Sequence, residues 1–301
     1  MLSFGVLGGS SASMLFTPSV SVINHWFQRR RALATGIIAT AGSIGGIIFP
    51  QIFDALAPKV GFGWAIRTIG FIALFFCGIG ALFQKSRREF NKSTRKTIDF
   101  RVLREIPFTL TTVAIVFADI GALIPVTYLT SYGHANSMTM QQSYALMSIL
   151  NAGSILGRLM PAYAADRYGR FNTMVVTTAV SAIFTVTLWL KSGSNHAAIY
   201  SYAALFGFWS GSAIGLSPVC VAQISKTEDF GKRYGTAYAF VSVGVLVALP
   251  IAGQILKVQT HNGVEEYWGL IVFCGVAYGV STAFFALARG FKTGWKIKKV
   301  F

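Results

Sequence analysis

The chain has 301 residues, of which 53% are hydrophobic and only 12% charged, with a mean hydropathy of +0.58. That balance excludes a soluble domain and makes the chain an integral membrane protein, all-α because apolar stretches of membrane length recur along it. Its 26 Lys and Arg against 10 Asp and Glu give a net charge of +16; the charge falls in alternate loops, as described below, and membrane topology accounts for it without nucleic acid as a partner.

Nine spans are predicted in chain order. The first, 4–23, starts beside Met1 without a charged flank or a small-residue cleavage site, so it is read as an internal helix of a larger protein rather than a signal peptide. The basic turn Arg29, Arg30, Arg31 leads into spans 34–56 and 64–83. Asp54 and Arg67 stand on either side of the short loop between those two and are expected to snorkel or to pair. A polar stretch rich in Lys, Arg, Ser and Thr follows, and then spans 108–131, 143–165, 174–190, 198–224, 234–256 and 267–288. The expected organisation is a partial N-terminal lobe of three helices (1–84), a linker (85–107), a C-terminal lobe of six helices (108–290) and a tail (291–301).

Positive loops stay cytosolic. One set of alternate loops, with the tail, holds 21 Lys and Arg, and the other holds only Lys59, Lys191 and Lys257. The linker, the tail and the turns at 29–31 and 167–170 are therefore cytosolic, and the N-terminus is external. Trp64, Trp189, Trp268, Tyr200 and Tyr267 sit at span ends and read as an aromatic belt. Cys77, Cys220 and Cys274 lie inside apolar spans as small packing residues, and the four histidines lack ligand spacing, so no metal and no cofactor is expected.

Glycines recur at four-residue intervals inside spans, as in Gly153 with Gly157 and Gly207 with Gly211 and Gly215. Such ridges let helix backbones approach closely. Pro125, Pro218 and Pro250 free the carbonyls of Gly121, Ile214 and Leu246, which at membrane depth need protein or cavity water to satisfy them.

The most informative residue is Arg158, a guanidinium within the fifth span on a stripe with Tyr144, Ser148, Asn151 and Ser154. A charge at membrane depth is costly, so such residues face a bundle interior or an aqueous path and mark a solute route. Asp119 is the remaining carboxyl deep in a span. Burial disfavours its ionised form, which makes it the candidate proton carrier, with a structural partner for Arg158 or for backbone as the alternative.

Two cytosolic turns carry family signatures. Trp26-Phe27-Gln28-Arg29-Arg30-Arg31-Ala32-Leu33-Ala34-Thr35-Gly36 resembles the turn after the fourth helix in the monocarboxylate-transporter family of the major facilitator superfamily. Ala162-Tyr163-Ala164-Ala165-Asp166-Arg167-Tyr168-Gly169-Arg170 resembles the superfamily's G-x-x-x-D-R-x-G-R loop between helices eight and nine, with Ala162 at the first glycine. The stretches 121–133, 206–218 and 250–253 agree with the same family, in its fungal branch.

The resemblance implies a major facilitator type bundle in which this chain supplies nine of twelve helices, from the fourth to the twelfth, so the family's helix-one lysine lies outside it. In the family, helix eight carries an aspartate and, four residues later, an arginine that act in proton coupling and carboxylate binding. The matching positions are Ser154 and Arg158. A serine does not titrate near neutral pH, so the proton relay does not transfer to Ser154. Arg29, Arg30, Arg31, Asp166, Arg167 and Arg170 are the expected cytosolic gate, with positive-inside anchoring at the headgroups as the alternative, and Arg158, Ser154 and Asn151 are the expected substrate site.

The expected activity is secondary transport of a small organic anion, above all a monocarboxylate, by alternating access and with protons as a possible partner. A larger solute such as riboflavin is the alternative, and a non-transporting sensor or inactive fragment is a third reading. No clustered nucleophile, base and orienting group indicates an enzyme. The plasma membrane is expected ahead of vacuolar or other internal membranes.

Overall fold

The computed structural model describes residues 3–85, 99–260 and 265–294, which are helical with no strand among them. Helix α1 (Gly9–Trp26) is entered through a π-helical turn, Ser3–Gly8. Helix α2 (Arg31–Phe83) runs for 53 residues, about 80 Å at the α-helical rise and enough for two bilayer crossings. It is broken at Gly61, whose φ of 80° and ψ of 161° only glycine takes without strain. The rings of Phe53 and Phe62 meet across that break at 5.6 Å, so the chain bends there. The second and third predicted spans thus share one interrupted helix instead of two helices joined by a loop.

After a 3-10 turn at Phe100–Arg104 come α3 (Ile106–Ala135), α4 (Met140–Tyr168) and α5 (Arg170–Phe184), the last prolonged by a π-turn, Thr185–Trp189, and a final turn, Leu190–Ser192. Helices α6 (His196–Gln223), α7 (Phe230–Gln259) and α8 (Trp268–Thr293) complete the bundle. Seven of these helical segments, all but α4, are long and apolar enough to cross a membrane. Helix α4 has the length, 29 residues, but carries Arg158, Asp166 and Arg167. With α4 added and α2 divided at Gly61, the nine predicted spans are all accounted for. Residues 86–98 of the expected linker and 295–301 of the expected tail lie outside the described residues.

Glycine sets the closest packing. A Cβ on Gly157 would lie 1.8 Å from the Phe208 carbonyl oxygen, one on Gly153 2.4 Å from that of Ala204, and one on Gly207 2.1 Å from that of Leu150. Helices α4 and α6 therefore touch backbone to backbone, the arrangement small-residue ridges permit where lipid gives no hydrophobic drive. Around this pair α3, α5, α7 and α8 bury two apolar clusters, one built on Phe108, Phe171, Phe230 and Phe285 and the other on Trp189, Tyr202, Phe206 and Tyr278. Trp189 corrects the belt reading, because it is fully buried and stacked on Tyr202 with centroids 5.0 Å apart. The π-turn that ends at Trp189 shifts the helical phase of α5 and turns the indole into the bundle. Tyr267 is buried as well, whereas Trp64 and Trp268 stay exposed as a belt requires.

Local signals fix the helix ends. Thr139 and Gln142 form a reciprocal capping box at the start of α4, and Asn195 accepts from the Ala198 amide at the start of α6. The carbonyl of Gly121, freed by Pro125, accepts a hydrogen bond from the Cys274 thiol of α8 at 3.3 Å. A packing cysteine thereby satisfies the acceptor that proline exposes inside the bundle.

Candidate functional site

Arg158 projects from α4 toward α2 and is 8% exposed. Its Nη1 donates to the Ala39 carbonyl of α2, while its Nε is enclosed without a hydrogen-bond partner. No carboxylate among the described residues forms an ion pair with it. Glycine makes room for the guanidinium: a Cβ on Gly42 would stand 3.2 Å from Nη1, and one on Gly36 would stand 2.4 Å from the Arg158 carbonyl oxygen. The side chain thus fills a slot between α2 and α4, with α6 behind it at Gly215, whose Cβ would lie 4.0 Å from the Arg158 Cγ.

The expected companions divide between two faces. Asn151 lies over Gly46 of α2, where a Cβ would be 2.8 Å from Oδ1, and its Nδ2 donates to the Met147 carbonyl at 2.9 Å. It therefore shares the α2-facing surface with Arg158. Ser154 is buried against α6, its Oγ 2.6 Å from where a Gly211 Cβ would stand. The four-residue spacing does not bring Ser154 and Arg158 onto one contact surface, because the slight advance of 3.6-residue turns and the flanking glycines assign one to each neighbour.

Asp119 sits on α3 away from Arg158, with an enclosed Oδ1 that has no hydrogen-bond partner. Tyr234 and Tyr238 of α7 and Tyr278 of α8 are within electrostatic range of it. The Tyr234 and Tyr278 hydroxyls are likewise enclosed and unpartnered. The structural alternative, Asp119 as the ion-pair partner of Arg158, is not formed.

At the basic end of the bundle the two signature turns meet. Asp166 Oδ2 accepts from the Leu33 amide at 3.0 Å and Oδ1 from the Ala32 amide at 3.2 Å. Helix α2 begins at Arg31 and has no cap from its own neighbouring side chains, so a residue 133 positions away in sequence supplies the acceptor and the negative charge that a helix N-terminus favours. Arg170 reaches Asp166 Oδ1 at 3.4 Å and donates to the Gln28 carbonyl at 3.3 Å. Arg31 is buried beside this contact, whereas Arg29, Arg30 and Arg167 line a cavity of about 470 Å³ with Leu33, Tyr163 and Asp166. Asp54 and Arg67 form no ion pair with each other; Arg67 lies over the Trp64 ring at 5.1 Å.

Residue-by-residue reading missed a cavity at the opposite end, about 710 Å³, lined by Thr130, Ser131, His134, Ala135, Met140, Tyr144 and Glu265. Tyr144 begins the α4 stripe that descends through Ser148 and Asn151 to Arg158, and that stripe was the available signal. Among the described residues no group of His, Cys, Asp and Glu is arranged to hold a metal ion.

The Major Facilitator Superfamily model matches residues 1–202, and the MFS_1 like family model matches residues 111–300. An MFS-type transporter of Gibberella moniliformis (strain M3125 / FGSC 7600) is 38% identical over 290 residues, covering 96% of this chain and 69% of that protein. Riboflavin transporter MCH5 of Saccharomyces cerevisiae (strain ATCC 204508 / S288c) is 33% identical over 319 residues, covering 98% of this chain and 61% of its own length. A solved bacterial homologue of the iron transporter ferroportin, in an outward-facing state, shares the fold with a TM-score of 0.60 at 12% identity, covering 91% of this chain and 66% of that one. The chain therefore spans about two thirds of the length of the proteins it matches.

Proposed function

This chain belongs to the major facilitator superfamily, and from that membership we propose that it carries a small organic anion across a membrane as a secondary transporter. Family and fold are those of multi-pass membrane transporters. Alternating access between a lobe containing residues 1–84 and one containing 108–290, joined by 85–107, is the mechanism we assign.

One observation carries the reading. Arg158 is a buried guanidinium at membrane depth with no carboxylate partner among the described residues, held by a backbone carbonyl and keeping an unpartnered Nε. A buried cation left in that state is costly, and its planar fork suits a solute carboxylate better than one carbonyl does. Asn151 on the same α2-facing surface supplies an amide to the same solute. Asp119, with an enclosed and unpartnered Oδ1, is the carboxyl we assign to proton coupling, and Asp166 with the arginines around it forms the gate at the cytosolic end. The plasma membrane is the proposed site of residence.

A second reading, cargo larger than a monocarboxylate such as a flavin-like heterocycle, is favoured by Ser154. The position where the family resemblance expects a titrating acid carries a hydroxyl packed against Gly211, and a relative at 33% identity is named for riboflavin. Uptake into vesicles containing this chain separates the two. Competition of labelled uptake by short monocarboxylates and not by riboflavin supports the first reading, and the reverse supports the second. Uptake that does not respond to an imposed proton gradient would remove the role given to Asp119.

A further inference from the structure

We propose that Arg29, Arg30 and Arg167 form a binding site for a phosphate group at the basic end of the bundle, bridging the start of α2 and the end of α4. The cavity they line, about 470 Å³, falls within the range of small-ligand sites. It brings three guanidinium groups together with one carboxylate, and that carboxylate is committed elsewhere. Asp166 already accepts from the Ala32 and Leu33 amides and holds Arg170. Arg29, Arg30 and Arg167 form no ion pair with any acid among the described residues.

Arg29, Arg30 and Arg167 are exposed, and like charges gathered around one cleft concentrate positive potential that a multiply charged anion relieves. The orientation of Arg167 suits such a guest. Its guanidinium lies over the Tyr163 ring at 5.5 Å, a contact that uses the ring face and none of the guanidinium's hydrogen-bond donors. Guanidinium forks match phosphate oxygens in pairs.

The surroundings assign the phosphate to a lipid. Toward the membrane centre from this cavity, Ile37 of α2 and Leu156 and Met160 of α4 are 53%, 54% and 59% exposed. Met160 and Arg167 are seven residues apart and so fall on one stripe of α4. An anionic phospholipid can therefore seat its headgroup among the arginines and lay its chains on the adjoining apolar stripe. Soluble phosphate would need only the arginines.

The test uses the full chain in nanodiscs and does not depend on transport, so its failure is distinct from failure of the Arg158 reading. Discs of phosphatidylcholine are compared with discs containing phosphatidylglycerol, and lipid retained by the protein is counted by native mass spectrometry. Inorganic phosphate is titrated into the phosphatidylcholine discs in parallel. Preferential retention of phosphatidylglycerol, reduced severalfold in Arg167→Gln and in the double variant Arg29→Gln with Arg30→Gln but not in Arg104→Gln, is the expected result. Binding of inorganic phosphate with the same arginine dependence would support the phosphate site with a soluble source.

Loss of lipid preference in Arg104→Gln to the same extent as in the cavity variants would overturn the site, because net charge alone would then explain retention. So would equal retention of both lipids by the unmutated protein together with no response to phosphate, and that comparison needs no variant to fold.

Discussion

A guanidinium at membrane depth that bonds one carbonyl and, among the described residues, no carboxylate is the residue on which the account turns. Replacing Arg158 by Lys keeps a charge but loses the planar fork, so solute affinity should fall by roughly 10-fold or more, the equivalent of about 1.5 kcal/mol for one charge-assisted hydrogen bond. Arg158→Ala should abolish measurable uptake while leaving the purified protein folded, because Gly42 and Gly36 shape the slot independently of the side chain's tip. Cys274 permits a second test at this scale. Its thiol satisfies the Gly121 carbonyl freed by Pro125, so Cys274→Ala should lower thermal stability by about 1 kcal/mol and Cys274→Ser should restore it. Melting curves in detergent read both. Equal destabilisation by Ala and Ser would show that the thiol acts through packing rather than through its hydrogen bond.

Helix contacts decide how these residues are presented. Since α4 and α6 meet through glycine, Gly157→Ala would drive a Cβ into the Phe208 carbonyl and should destabilise the bundle by about 3 kcal/mol, as overpacked cores do. Gly279→Ala faces open space and should stay within about 0.5 kcal/mol of the parent. The pair makes a controlled comparison, with yield of monodisperse protein as the readout. At the basic end, Asp166 caps α2 from a distant part of the chain. Asp166→Asn keeps one of the two acceptors, turns the other into a donor facing an amide N–H, and loses the charge that favours the helix N-terminus and Arg170, a change of at least about 1 kcal/mol or roughly fivefold in the equilibrium between closed and open ends. Accessibility of a cysteine placed at Leu33 to a water-soluble maleimide should rise accordingly, and unchanged accessibility would remove the latch role.

Across the whole molecule, what the sequence made legible followed from periodicity and cost. Long apolar stretches give the helices, and a lone arginine among them marks the interior. Glycines four apart foretell close backbone contacts between helices, and Pro125 foretells a carbonyl in need of a partner. Partners across the bundle were not legible, because they depend on which face of one helix meets which face of another. Ser154 turned to α6 while Arg158 turned to α2, the π-turn buried Trp189, and Gly61 replaced an expected loop by a bend inside one helix. Asp166 was legible as an acid that topology does not require, but its use as the cap of α2 needed coordinates. The most direct measurement of the central claim is equilibrium binding of a labelled carboxylate to the purified chain, compared with its Arg158→Gln variant. Saturable binding to the parent that is lost in the variant, with both proteins folded, is the predicted result. Equal binding by the two would contradict the assignment of Arg158 as the anchor and with it the proposed route of the solute.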